Sequence, residues 1–146
     1  MTPAGTVLAF DYGVKRIGVA VGETALGIAS PLGAIREESN HARFAEIAKL
    51  VCEWHPAVFI VGRPRHSDGS VHEVAKLAEK FARRLSARHR LPVVFVDETL
   101  SSAAAEQALR EARTRSRRSG DVDAMAAAII LQSYLDDPAA HERLPS

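Results

Sequence analysis

The feature that most constrains the fold is a short, fully apolar run that ends in a carboxylate. Residues Val7 to Phe10 are apolar at every position, and Asp11 follows them. A strand that is apolar on both alternating faces is typical of the centre of a sheet with helices on both sides. Asp11 would then lie at the carboxyl end of a buried strand, where an ionised carboxylate requires a cation or a donor. It could equally cap the following turn by accepting backbone N–H bonds.

A second apolar run, Ile17 to Val21, follows after a short link that contains glycine. This spacing predicts an antiparallel β-hairpin with Lys15 and Arg16 at its tip. The edge of the sheet next to Asp11 would therefore carry charges of both signs.

The rest of the chain alternates between strand and helix patterns. The predicted elements are strands over residues 31–36, 57–61 and 93–96, and helices that begin near residues 40, 70, 101 and 121. This order predicts an α/β fold with a five-stranded mixed sheet and helices on both faces. We expect one domain over residues 1–137 and a disordered tail over residues 138–146.

Length and composition exclude several classes of protein. With 146 residues, 47% of them hydrophobic, the chain can build one good core. No apolar run approaches the roughly 20 residues needed to cross a bilayer, and Met1 to Thr6 lacks signal-peptide features. We therefore expect a cytoplasmic protein without a membrane partner. Cys52 is the only cysteine, which excludes an internal disulfide and a thiolate zinc cluster, and its apolar helical pattern predicts a packed thiol.

Three carboxylates are predicted to converge at one edge of the sheet. Right-handed crossovers make the strands that end in Asp11, Gly62 and Asp97-Glu98 mutually parallel, so Asp11 and Glu98 would share that edge. Asp123 lies near the start of an almost wholly apolar, and hence buried, final helix. Asp121 is interpreted as an ordinary helix-start residue, and the same reading stays open for Asp123 on its own. Three clustered carboxylates suit Mg²⁺ or Mn²⁺ and favour hydrolysis of a phosphodiester.

Arginines are concentrated in two segments. Arg115, Arg117 and Arg118 belong to a cluster with a single acid, and with Lys15 and Arg16 they are predicted to contact phosphates of a nucleic acid. The alternative for this cluster is a solvated helix end or a disordered loop. A second group over residues 83–90 has helical spacing. We interpret it as a solvated helix face.

Four motifs, in order, resemble those of the YqgF family. They are Leu8 to Ala20, Val61 to Pro64 with Asp68 to Ser70, Val96 to Glu98, and Val122 to Ala128 with Ile130-Leu131. Members of this family are bacterial RuvC-like resolvases, now regarded as nucleases that mature the 5′ end of pre-16S ribosomal RNA.

The resemblance implies an RNase H-like fold and a set of site residues. Asp11, Glu98 and Asp123 would be the catalytic and metal-binding acids, and Lys15 and Arg16 would lie near the substrate. The implied partner is pre-16S rRNA or the ribosomal small-subunit precursor in a bacterial cytoplasm.

The sequence departs from the family pattern at three places. Gly22-Glu23 replaces a usual Ser-Asp pair, Thr99 replaces a common arginine, and Arg63 and Arg65 replace apolar loop residues. We assign Arg63 and Arg65 to nucleic-acid binding, where they could compensate for the missing arginine.

Three rival functions share parts of these patterns. A Holliday junction resolvase would act on DNA, and a non-catalytic ribosome assembly factor would bind RNA through the same basic residues. Sugar kinases and actin-like ATPases open with a similar strand and Asp-x-Gly turn, but they need two such domains. The sequence does not choose between a monomer and a homodimer.

Overall fold

The computed structural model describes residues 4–63, 69–97 and 119–145. The strands form a single sheet: β1 (Thr6–Asp11), β2 (Ile17–Glu23), β3 (Ile28–Ile35), β4 (Val58–Arg63), β5 (Val93–Asp97) and β6 (Glu142–Arg143). The helices are α1 (Asn40–Trp54), α2 (Gly69–His89) and α3 (Ser119–Asp136), and a short 3₁₀ turn spans Pro138–Ala140.

The order of the strands across the sheet is β3-β2-β1-β4-β5-β6. β1 and β2 pair as the predicted antiparallel hairpin, while β1, β4 and β5 are mutually parallel. The prediction that the carboxyl ends of these three strands meet at one edge is thereby confirmed. In this register Asp11 lies opposite Gly18 of β2 and opposite Gly62 of β4.

The two faces of the sheet have separate cores because side chains alternate along each strand. Val7 and Ala9 of β1 pack beneath α3, whereas Leu8 and Phe10 pack beneath α1 and α2. All four side chains are completely buried, as predicted for a central strand. The apolar character of both faces is therefore explained by helices on both sides.

Helix α1 shows how local sequence sets the bounds of an element. Ser39 caps its start, because its hydroxyl oxygen accepts the Ala42 backbone N–H at 3.2 Å. His55 ends the helix in the left-handed conformation, with φ of 48°, and its N–H bonds the carbonyl oxygen of Val51. Pro56 then prevents the helix from continuing.

The far edge of the sheet differs from the prediction. Among the described residues the sheet has six strands rather than the predicted five, because Glu142–Arg143 pairs with β5 in the segment that was predicted to be disordered. The Leu144 N–H also bonds the carbonyl oxygen of Val93 at 2.8 Å. The segment after Pro138 is short and polar, and its local sequence does not indicate that it pairs with β5, which is distant in the chain.

Two smaller predictions are corrected and one is outside the structure. β4 continues through Arg63 instead of ending at Val61, and Cys52 is exposed rather than packed. The helix predicted to begin near residue 101 lies outside the described residues. Within the described ranges, none of the helices combines the length and the apolarity needed to cross a membrane.

Candidate active site

Asp11 lies at the carboxyl end of β1, between two glycines on the neighbouring strands. Val7 and Ala9 face α3, so Asp11, two residues further along the same strand, projects to the same side of the sheet. Gly18 and Gly62 are its direct cross-strand neighbours and carry no side chains. Side chains at these two paired positions therefore do not crowd the half-buried Asp11 carboxylate.

Gly18 brings the last helix directly over this point of the sheet. A Cβ atom on Gly18 would lie only 2.0 Å from the backbone carbonyl oxygen of Asp123. Only glycine permits such a close approach between a strand and a helix backbone. Because Asp11 and Gly18 are cross-strand partners, with Cα atoms typically about 4.5 to 5.5 Å apart, Asp11 and Asp123 lie in the same small region.

Arg16 connects the tip of the hairpin to the last helix. Its Nε donates to Oδ2 of Asp123 at 2.7 Å, and the two side chains are 39% and 24% exposed. Lys15 is exposed beside it. The structure thus brings together Asp11, Asp123 and Arg16 from the residues that the sequence predicted, with Lys15 adjacent to Arg16 in the chain.

The carboxylate of Asp97 points to the other face of the sheet. Phe95, two residues earlier on β5, belongs to the core beneath α1 and α2, and Asp97 accepts a hydrogen bond from Nε of Arg63 at 3.0 Å. Glu98, which follows Asp97 in the chain, lies outside the described residues. The same is true of Arg65, Arg115, Arg117 and Arg118.

Arg63 has other partners than the phosphates assigned to it from the sequence. It is 8% exposed and donates to Asp97, to Glu142 at 2.5 Å and to Glu79 at 3.5 Å. Its guanidinium also lies 4.6 Å from the centroid of the Phe95 ring. Burial by itself lowers the pKa of Arg63, but hydrogen bonds and charges from Glu142 and Asp97 raise it above its ordinary value.

Sequence reasoning missed two contributions to this end of the sheet. Gly18 was treated as part of an apolar strand, although a glycine inside a strand is a recognised signal of close backbone approach. Glu142 was missed because its segment was predicted to be disordered. No single local pattern pairs Glu142 with Arg63, since 79 residues separate them along the chain.

Comparison with protein families identifies the chain. The family model described as RuvX, Holliday junction resolvase, matches residues 5–137. The chain belongs to the RuvX family. RuvX and YqgF are two names of one family, so the resemblance stated from the four sequence motifs is confirmed.

Close relatives of this RuvX-family chain are found in several bacteria. A protein of Dechloromonas aromatica is 52% identical over 143 residues, which cover 97% of each chain. A protein of Neisseria gonorrhoeae is 50% identical over 135 residues, covering 92% of this chain and 89% of the relative. Both carry the name "Putative pre-16S rRNA nuclease".

Two solved structures show the shared fold at low sequence identity. RuvC of Thermus thermophilus in complex with a Holliday junction is 16% identical, with a TM-score of 0.62, over 96% of this chain and 99% of the other. The resolvase of fowlpox virus with its junction DNA is 10% identical, with a TM-score of 0.53, over 92% and 99%. The predicted RNase H-like α/β fold with a mixed sheet is confirmed for the RuvX-family chain.

The site at Asp11 and Asp123 offers carboxylate oxygens, which are hard ligands. The Arg16 guanidinium supplies a positive charge next to the Asp123 carboxylate. Within the described parts of the chain, no three acidic, histidine or cysteine side chains cluster closely enough to hold a metal ion. One of the three acids predicted from the sequence, Glu98, lies outside those parts.

Proposed function

We propose that this chain is a metal-dependent endonuclease that hydrolyses phosphodiester bonds in structured nucleic acid and processes the 5′ end of pre-16S rRNA. The observation that carries the proposal is the close approach of Asp123 to the Asp11–Gly18 pair in a member of the RuvX family. The names of relatives at about half identity support pre-16S rRNA, or the small-subunit precursor, as the substrate.

The donor set at this edge suits Mg²⁺ or Mn²⁺, which prefer oxygen ligands. Asp11 and Asp123 supply carboxylates on the α3 side of the sheet. Val94 and Val96 of β5 face α3, and Glu98, which follows β5 in the chain, is proposed as the third acid. A bound ion of this kind supplies charge that lowers the pKa of water and stabilises the departing oxygen of a phosphodiester.

The basic residues of the hairpin orient the substrate in this proposal. Arg16 holds Asp123 in place, and its 39% exposure leaves the guanidinium accessible to a phosphate. Lys15 provides a second phosphate contact at the exposed tip. Arg65, Arg115, Arg117 and Arg118 are proposed to contact flanking phosphates.

The deciding experiment separates cleavage from binding. Asp11→Asn should abolish Mg²⁺- or Mn²⁺-dependent cleavage of a pre-16S rRNA fragment while RNA affinity stays equal or rises, since a negative charge is lost. Asp137→Asn removes an exposed acid beyond the far end of α3 and serves as the control with normal cleavage. Undiminished cleavage by Asp11→Asn would remove this carboxylate from the mechanism.

DNA junction resolution is the second candidate, because both solved structures named above hold Holliday junctions. Incubation with pre-16S rRNA and with a four-way DNA junction, each with and without EDTA, compares the two substrates directly. Binding of RNA without cleavage of either substrate would favour a non-catalytic assembly factor. We propose that the protein acts in the cytoplasm, as a monomer on RNA or a homodimer on a junction, and sedimentation with each substrate distinguishes these states.

A further inference from the structure

An aromatic pocket lies between α1 and α2, on the face of the sheet opposite the Asp11 carboxylate. It has a volume of about 130 Å³ and is lined by the rings of Tyr12, Phe44 and Phe81, with Lys80 and Arg84 among its other lining residues. Leu77, which is 41% exposed, and the amide of Asn40 complete it. The proposed nuclease site does not use any of these residues.

The aromatic walls of the pocket are held firmly in place. The ring centroids of Tyr12 and Phe81 are 5.2 Å apart, and those of Phe44 and Phe81 are 5.7 Å apart with planes inclined by 27°. Phe44 and Phe81 are almost fully buried, so their rings are fixed by the core. Tyr12 is half-buried. The buried Phe44 and Phe81 rings therefore form a rigid floor, and the Tyr12 ring is the aromatic surface that a flat ligand can reach.

The cations belong to a row along α2. Lys76, Lys80, Arg84 and Arg88 follow one another at four-residue spacing, which places them on one side of the helix. Like charges at this spacing destabilise an isolated helix by a few tenths of a kcal/mol per pair. None of the four forms an ion pair with an acid among the described residues, and Glu79 of α2 is directed to Arg63. The row is positioned to receive phosphates.

The pocket and the proposed nuclease site lie at the same end of β1. Tyr12 directly follows Asp11, and consecutive Cα atoms are about 3.8 Å apart. Asp11 projects towards α3, whereas the Tyr12 ring packs against Phe81 of α2. A nucleic acid whose backbone reaches Asp11 therefore needs to cross only the edge of the sheet to place a neighbouring nucleotide in the pocket.

We propose that the aromatic pocket receives an unpaired base of the nucleic acid substrate, with Lys80 and Arg84 contacting the adjacent phosphates. That the ligand is a nucleic acid rests on the proposed function. Stacking of a base on aromatic side chains contributes about 1 to 3 kcal/mol and tolerates any base. The Asn40 amide can donate to or accept from a base edge. The protein should thus prefer structured RNA with an unpaired segment to a fully paired duplex.

The test measures binding in EDTA by fluorescence anisotropy, with two labelled RNA hairpins that share one stem. One hairpin is blunt, and the other carries a single-stranded 5′ extension of about five nucleotides, within the range that single-stranded sites cover. The wild type should bind the extended hairpin at least about fivefold more tightly, as expected for one stacked base. Tyr12→Leu, and separately the pair Lys80→Gln and Arg84→Gln, should remove most of that preference.

A charge-matched control is the pair Arg36→Gln and Lys49→Gln, two exposed cations outside the pocket and the row, which should keep the preference. Equal weakening of both hairpins by the Lys80 and Arg84 pair would make the row a general electrostatic surface and overturn the proposal. Equal affinity of the wild type for both hairpins would overturn it as well. The binding test involves no cleavage. A protein that prefers the extended hairpin but never cuts RNA would therefore refute the nuclease proposal and leave the proposal for the aromatic pocket standing.

Discussion

The two faces of the sheet each end in a contact between an arginine and carboxylates, and the two contacts are built differently. On the α1 and α2 face, Arg63 has a side chain that is only 10% exposed, and it bonds three acids from β5, β6 and α2. On the α3 face, the Arg16 side chain is 39% exposed, and among the described residues Asp123 is the acid with which it pairs.

This difference assigns separate tasks to the two faces. Removing one member of a buried charge cluster costs about 3 to 5 kcal/mol, whereas an exposed pair contributes about 0 to 1 kcal/mol. Arg63 is therefore committed to holding β4, β5, β6 and α2 together. Arg16 can exchange Asp123 for a substrate phosphate at little cost, which suits a site where charges must rearrange.

The largest effect on stability is expected at Gly18, where the backbone of α3 lies against β2. Gly18→Ala places a methyl group against the Asp123 carbonyl oxygen, at 2.0 Å in the present geometry, and a backbone atom cannot rotate away. Overpacking of this kind costs about 1 to 3 kcal/mol, and we expect the upper end. Urea denaturation should show the loss, and hydrogen exchange should show weaker protection in α3 than in α2.

Gly22→Ala is the matched control, because it adds the same methyl group on the same strand and face. Its Cβ would meet the Leu135 and Leu131 side chains at 3.0 and 3.2 Å, which can shift, and the Ile28 carbonyl oxygen at 3.0 Å. The control should lose clearly less stability than Gly18→Ala. Equal losses would mean that the close approach of Asp123 to Gly18 is not special.

The next largest effect is expected on the opposite face. Arg63→Met keeps much of the side-chain volume but leaves Asp97, Glu79 and Glu142 without their shared cation. These acids are 29%, 38% and 57% exposed, so water can partly replace the guanidinium. The loss should be about 2 kcal/mol, between the values for exposed and buried pairs.

Lys49→Met, which breaks the exposed pair with Glu46, is the control for the Arg63 variant and should change stability by less than about 0.5 kcal/mol. Hydrogen exchange should weaken in β5, β6 and α2 for Arg63→Met and stay normal in α3. Weakened protection confined to α3 would contradict the division of tasks between the faces.

The same comparison shows how far the sequence alone could lead. Strand alternation and the apolar run Val7 to Phe10 sufficed to predict a central strand with Asp11 at its end. The parallel order of β1, β4 and β5 followed from short crossovers of a single hand. These features depend on local periodicity, which a sequence displays directly.

Arg63 shows what local patterns cannot supply. Its place beside Gly62 and Pro64 is typical of a loop, and its charge in a nucleic-acid-binding context favoured contact with phosphates. Its actual partners include Glu142, which is 79 residues away and part of an edge strand of two residues. Such a short strand has no periodicity of its own, and only the completed sheet edge places it there.

The smallest effect on stability, and the sharpest contrast with Arg63, is expected for Arg16→Gln. Its pair with Asp123 is half-exposed, so urea denaturation should show a change of less than about 1 kcal/mol. Cleavage of RNA should nevertheless fall at least about tenfold, because a charged phosphate contact of about 1.5 to 3 kcal/mol is lost. Arg16→Lys should recover part of this loss, since it restores the charge but not the planar fork of donors. A loss of stability as large as that of Arg63→Met would show that the exposed pair has the same structural task as the buried cluster. Normal cleavage by Arg16→Gln would show that Arg16 does not contact the substrate phosphate.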